Sequence, residues 1–265
     1  MNFTKLSMSV IAGAALLSAQ PVMAQTLFSD TFNGTAFGQA AFQSGIVAPL
    51  AYKTFNTANA PTVSGGTANL ITGDTGFTPD YNFANIDNGF MQVDFDFKFT
   101  GSFFRFFDYS LAKSTEVTTV ALYSALYGST GNGSGLTLQY NAGAGGATST
   151  GGTVTEYNNN VTTVVNWLET PILGRFYHTT VDYTASTGAY SWTLKDPTTS
   201  NFVVASNSGT LGGVITGNYM NFGSHNQGIA IDNLVVSSPE PASVAMLLLG
   251  AMTMGGAALA RRRAA

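Results

Sequence analysis

Residues 90–99 read Phe90-Met91-Gln92-Val93-Asp94-Phe95-Asp96-Phe97-Lys98-Phe99, or FMQVDFDFKF. Val93, Phe95, Phe97 and Phe99 alternate with Gln92, Asp94, Asp96 and Lys98. Successive side chains of a strand leave opposite faces of its sheet, so this period of two predicts a strand buried on one face and solvated on the other. To either side, turn-rich punctuation separates further short strand candidates: Thr67–Thr72, Val117–Ala125, Leu136–Tyr140, Phe176–Tyr183, Tyr190–Leu194, Phe202–Ser206 and Ile229–Val236. No helical stripe stands out between the two ends of the chain. The expected fold class is all-β, an antiparallel β-sandwich over residues 25–238.

That region carries six basic residues, Lys53, Lys98, Arg105, Lys113, Arg175 and Lys195, against thirteen acidic ones, a balance of −7. The whole chain stands at −4, because Lys5, Glu240 and three arginines lie outside the region. No basic stripe exists to displace counterions, so nucleic acid is not an expected partner. Charged residues are only 9% of the chain and cysteine is absent. The surface must be solvated mainly by Ser, Thr, Asn and Gly, and the fold held by its core rather than by disulfides. The stretch Asn141–Gly152, NAGAGGATSTGG, reads as a loop. Its Gly143-Ala144-Gly145 has no following helix and gives no phosphate cradle.

The two ends have their own logic. Lys5, the apolar run Leu6–Ala19 and the small residue closing Val22-Met23-Ala24 form the three-part pattern of a secretory signal peptide over residues 1–24, cut between Ala24 and Gln25. At the other end Ala242–Ala260 holds 19 residues without a charge. As a helix rising about 1.5 Å per residue it matches the ~30 Å hydrocarbon core of a bilayer. Arg261, Arg262 and Arg263 follow at once and would stay on the cytoplasmic side. Pro239 and Pro241 stop the helix from extending backwards. Pro239-Glu240-Pro241, an apolar span and an arginine cluster, in that order, resemble the PEP-CTERM sorting signal of Gram-negative bacteria that make exopolysaccharide. The resemblance implies a sorting signal over 239–265 with a transmembrane helix at 242–260 and a basic tail at 261–263. It further implies an exosortase-type membrane transpeptidase as partner and transient anchoring through that helix. The expected route is then export, a membrane-anchored precursor, and a final place at the cell surface or outside it.

Within the domain, GRFYHTTVDYTASTGAYSWTL (Gly174–Leu194) is a strand, a turn closed by Gly188 and a second strand placing Tyr190, Trp192 and Leu194 on one face. It is similar to the central hairpin of concanavalin-like and laminin-G-like jelly rolls. The closing GIAIDNLVVSS (Gly228–Ser238) resembles the last strand of such domains, which implies pairing beside the first, here Leu27–Asn33.

One branch of that fold hydrolyses β-glucans with a strand pattern resembling Glu-x-Asp-x-x-Glu. Asp94 and Asp96 share a face, as carboxyls about 5–5.5 Å apart in a retaining hydrolase must. Gln92 stands where the first glutamate would be, however, and Phe97 stands where the last would be. The expectation is therefore no catalytic residue, with Asp94 and Asp96 a solvated face balanced by Lys98. The only histidines are His178 and His225, and no His-Glu-x-x-His occurs, so zinc is not expected. Nor is there a Gly-x-Ser-x-Gly elbow. Asp74, Asp80, Asn82, Asn85, Asp87 and Asn88 offer the hard oxygen ligands calcium takes, but without the regular spacing of a calcium loop. Asx-rich turns form without metal, so no cofactor is expected, with calcium the alternative left open. The expected function is an exported, non-catalytic surface or matrix protein associated with exopolysaccharide. The alternatives are a glycoside hydrolase or lyase of the same fold and a purely structural biofilm-matrix protein.

Overall fold

The computed structural model describes residues 24–33, 52–55, 61–70, 75–79, 90–101, 106–113, 135–142, 151–158, 161–211, 219–225 and 227–239. The chain divides into two units, Gln25–Ser238 and the two termini, Met1–Ala24 with Pro239–Ala265. The termini lie outside the described residues apart from Ala24 and Pro239.

In chain order the strands are β1 (Ala24–Asp30), β2 (Tyr52–Phe55), β3 (Thr62–Ser64), β4 (Thr67–Leu70), β5 (Thr75–Pro79), β6 (Phe90–Phe99), β7 (Phe106–Lys113) and β8 (Leu136–Asn141). They continue with β9 (Thr153–Asn158), β10 (Val161–Asn166), β11 (Tyr177–Thr184), β12 (Ala189–Asp196), β13 (Phe202–Thr210), β14 (Tyr219–His225) and β15 (Ile229–Pro239). One sheet has eight strands, ordered β13-β12-β11-β6-β15-β4-β3, with β1 also paired to β15. The other has seven, ordered β10-β9-β8-β7-β14-β5-β2. The closing strand thus lies beside the first, although β1 starts and ends three residues earlier than the expected Leu27–Asn33.

Strand β6 alternates as its sequence requires, burying Val93, Phe95, Phe97 and Phe99. Val181, Tyr183, Tyr190, Trp192 and Leu194 of β11 and β12 are buried beside them. Opposite, the second sheet contributes Phe107, Tyr109, Tyr140 and Phe222. Phe97 meets Tyr140 with ring centroids 4.8 Å apart and Phe107 at 5.0 Å, while Phe95 meets Tyr109 at 5.0 Å and Phe222 at 5.2 Å. Contacts of this kind, each adding ~0.5–1.5 kcal/mol to the burial of its rings, supply the cohesion that disulfides would otherwise give. The β11–β12 hairpin turns through Gly188 at φ 70°, where its N–H donates to Thr184 O at 2.8 Å. A residue without a Cβ takes that left-handed position without strain.

Two expectations are corrected. Among the described residues no helix is long and apolar enough to cross a membrane. The only helix described is the single 3-10 turn Pro197–Thr199. The architecture is a β-sandwich without a described spanning helix, and the helix expected at Ala242–Ala260 lies outside the described residues, with Glu240, Pro241, Arg261, Arg262 and Arg263. Pro239 closes β15 instead of opening a separate element, a place proline tolerates because a strand end needs no further ladder donor. The PEP-CTERM reading therefore finds no membrane helix among the described residues to rest on. An exosortase partner, transient anchoring and a membrane-anchored precursor are withdrawn with it. The strand expected at Val117–Ala125 and most of the 141–152 loop also lie outside the described residues.

Candidate functional site

Three polar clusters separate the chemistry that is locked from the chemistry that is available. The first is on the outer face of the eight-stranded sheet, where β6 and β11 pair Asp96 with His178 and Asp94 with Thr180. His178 Nδ1 lies 2.8 Å from Asp96 Oδ1, and its Nε2 lies 3.4 Å from Asp94 Oδ1. Thr180 Oγ1 donates to Asp94 Oδ1 at 2.7 Å and sits 3.3 Å from His178 Nε2. The order Thr180, His178, Asp96 has the connectivity of nucleophile, base and orienting acid. It cannot work as one. Asp94 and Asp96 push the His178 pKa up to about 9 against the opposing effect of burial, so at neutral pH the ring is protonated and Nε2 has no lone pair to offer. The Thr180 hydroxyl already donates its hydrogen bond to Asp94.

The same geometry disposes of Asp94 and Asp96 as a hydrolytic pair. Asp96 accepts from Asn233 Nδ2 at 2.7 Å as well as facing His178, and Asp94 is held between His178 and Thr180. A general acid and a nucleophile must be free to reach a glycosidic bond. These two instead cross-link three strands. Asn233 reaches Asp96 because β15 changes register between Asp232 and Val235, with Asn233 at φ 51°, a left-handed conformation that asparagine adopts more readily than most residues. Lys98, expected to balance the two acids, lies 4.3 Å over the ring of Phe176.

The second cluster lies between the sheets. Glu156 on β9 is 3% exposed and accepts from Tyr190 Oη at 2.5 Å, Trp192 Nε1 at 2.7 Å and Asn207 Nδ2 at 3.0 Å. All three donors come from the opposite sheet. Gly209 allows the approach, since a Cβ there would stand 2.6 Å from Tyr190 Oη. A buried carboxylate with three donors is a structural clamp.

The third cluster is the outer face of β8, β9 and β10. Their registers set Thr137, Tyr157 and Thr162 in one row, Gln139, Thr155 and Val164 in the next, and Asn141, Thr153 and Asn166 in a third. No member of this three-by-three lattice carries a charge. Exposure rises across it, from buried Thr137 and Gln139 through half-buried Thr155 and Tyr157 to exposed Thr162, Val164 and Asn166. Tyr157 Oη donates to Gln139 Oε1 at 3.4 Å, which steadies a half-buried ring among hydroxyls and amides. Behind it, buried Asp108 lies opposite Gln139 in the register, and burial together with the Asp108 charge raises the Tyr157 pKa, so the phenol stays protonated. The Thr137 hydroxyl is buried and has no hydrogen-bond partner among the described residues.

No family model matches this chain, and neither does any curated protein. Solved structures do match. Basic winged bean lectin with Tn-antigen superposes with a TM-score of 0.55 at 10% identity, covering 83% of this chain and 100% of that one. Peanut lectin with a nonapeptide gives 0.53 at 12% identity, covering 82% and 97%. The exoplasmic/lumenal domain of VIP36 in its Ca2+/Man-bound form gives 0.50 at 10%, covering 70% and 82%. At these identities the likeness establishes the concanavalin-like jelly-roll sandwich.

The solved structures it resembles are lectins, and among the described residues the Thr180–His178–Asp96 cluster is held as an ion-paired cross-link between strands. Among the described residues no group of three or more His, Cys, Asp or Glu side chains is placed to hold a metal ion. Asp74, Asp80, Asn82, Asn85, Asp87 and Asn88, the calcium alternative, lie outside the described residues. His225 falls in β14. Ala24 and Gln25 open β1. Sequence reasoning passed over the β9–β10 hairpin and with it both Glu156 and Tyr157. The signal was present in TVTEYNNNVTTVVN, two alternating runs joined at Asn159-Asn160, a turn-forming pair.

Proposed function

We propose that the domain binds an uncharged polysaccharide on the outer face of β8–β10, without cleaving it. One observation carries this reading: the half-buried Tyr157 ring, its hydroxyl 3.4 Å from Gln139 Oε1, is set in an uncharged lattice made mainly of hydroxyl and amide groups. Sugar rings present an apolar C–H face and a rim of hydroxyls, which ask for an aromatic plate ringed by uncharged donors and acceptors. Neighbouring strands stand about 4.8 Å apart and alternate residues of one strand about 6.8 Å, so the half-buried groups of β9 and the exposed groups of β10 fall within reach of one or two sugar rings, with buried Thr137 and Gln139 beneath as support. An acidic domain offering no cation in this lattice suits a neutral chain better than an anionic one. The lectin-like fold supports the reading by analogy.

Calcium enters as an arm of the test. The VIP36 match carries the ion, while in this chain the candidate oxygen ligands of 74–88 bracket β5. The experiment is a glycan array probed with the protein and with Tyr157→Ala, each with and without calcium. A neutral-glycan signal lost in the variant supports the site. Unchanged binding by Tyr157→Ala places the site elsewhere, and no signal in either calcium condition ends the glycan reading.

A further inference from the structure

The large exposed hydrophobics among the described residues fall in two short stretches: Val161, Val164, Leu168, Ile172 and Leu173, then Phe202 and Val203. Leu168 is 72% exposed, Val161 64% and Val164 57%. The tertiary fold brings the two stretches together, because Leu168 N donates to Val204 O at 2.8 Å. Both flanking strands also end their sheets: β10 is the last strand of one and β13 the last of the other. A sheet edge bears unpaired N–H and C=O groups, and exposed edges are normally blunted by lysine, proline or a covering segment. Strand β10, VTTVVN, has neither lysine nor proline, and among the described residues no strand pairs with its outer side.

We infer that β10 is a self-association edge, pairing antiparallel with β10 of a second copy of this chain about a twofold axis. Charge selects the occupant. Across residues 161–173 and 202–210, Glu169 is the only charged side chain, whereas the domain as a whole stands at −7. Two copies of an acidic domain repel where their charges face each other, and this edge brings a single carboxylate from each copy. Size agrees. These stretches hold 13 and 9 residues, of which Trp167, Pro171, Val204 and Ala205 are buried, leaving 18, close to the roughly 20–30 per partner of a stable interface. An antiparallel edge pair is self-complementary, as a twofold dimer requires. The two seven-stranded sheets then run on as one, with both Tyr157 lattices on the same side of it. A dimer would meet a repeating polysaccharide with two sites instead of one.

Sedimentation velocity on the full chain from about 1 to 100 µM tests the pairing. The wild type should pass from monomer to dimer. Val161→Lys with Leu168→Glu should remain monomeric with an unchanged far-ultraviolet circular dichroism spectrum. A wild type that stays monomeric throughout, or a dimer that the double variant keeps, overturns the inference. The chain has no cysteine, so Val164→Cys supplies an independent readout should the double variant fail to fold. Opposed Cβ atoms across an antiparallel pair lie about 4.5–5.5 Å apart, near disulfide reach. Under mild oxidation Val164→Cys should cross-link to a dimer far faster than Ser186→Cys at the exposed hairpin tip. Equal rates at the two positions count against pairing through β10.

Discussion

Trp192 Nε1 of one sheet donates to Glu156 Oε2 of the other at 2.7 Å, a polar bond in the middle of an aromatic core. Tyr190 and Asn207 complete the acceptor's shell. Glu156→Ala leaves three donors without their acceptor and should lower stability by about 3–5 kcal/mol. Glu156→Gln keeps one acceptor oxygen and should cost less, about 1–3 kcal/mol. Urea midpoints of the two variants give the comparison. A loss below about 1 kcal/mol for the alanine variant would mean the clamp is ornamental.

Phe97 touches Phe99, Phe107, Tyr140 and Tyr177 and is fully buried. Replacing it with alanine should cost about 3–5 kcal/mol, the range for removing a core aromatic. Chemical denaturation of Phe97→Ala reports it directly. Destabilisation under about 1 kcal/mol would contradict its place between the sheets.

His178 makes stability depend on pH. Its pKa rises from 6.5 to about 9 in the folded protein because Asp94 and Asp96 hold the charged ring. A raised folded-state value means that this contribution is fully present below pH 6.5 and is lost as pH climbs from there through about 9. The ring is 33% exposed, and solvent screening reduces the full shift to about 1–2 kcal/mol. The difference in unfolding free energy between wild type and His178→Ala should therefore shrink across that window. A difference constant from pH 6 to 10 would show that the imidazolium contributes nothing.

Asp94→Asn combined with Asp96→Asn should leave any glycan affinity within a few fold, since both carboxylates lie on the sheet opposite to Tyr157. The protein should release no reducing sugar from β-glucans. Release that vanishes in the double variant would restore the hydrolase alternative.

Export should leave Gln25 as the first residue, trimming a single residue from β1. N-terminal sequencing of protein recovered outside the cell checks this. A start several residues further on would remove part of β1 and weaken its pairing with β15.

The strand at 90–99 and the 174–194 hairpin were legible in the sequence because a strand buried on one face writes its environment into every second residue. Four aromatic or aliphatic side chains in β6 suffice to fix which face is inward, and a slip of one residue would turn all of them to solvent. The closing strand was legible for the same reason. Asp94 and Asp96 could likewise be read as sharing a face and lacking the glutamates of a hydrolase. What joins them to His178 and Asn233 was not legible, since those partners lie 82 and 137 residues away and meet only through strand order. Glu156 shows the limit most plainly. Its strand alternates as any other, and local sequence gives no reason for a carboxylate to point into the core. Only the packing of β9 over β12 and β13 brings Tyr190, Trp192 and Asn207 to it, and only that supply of donors makes a buried charge tolerable. Pattern within a strand is set by burial, which is local to each residue. Which strands become neighbours is set by the whole chain's packing, and the clusters around His178, Glu156 and Tyr157 depend on that choice.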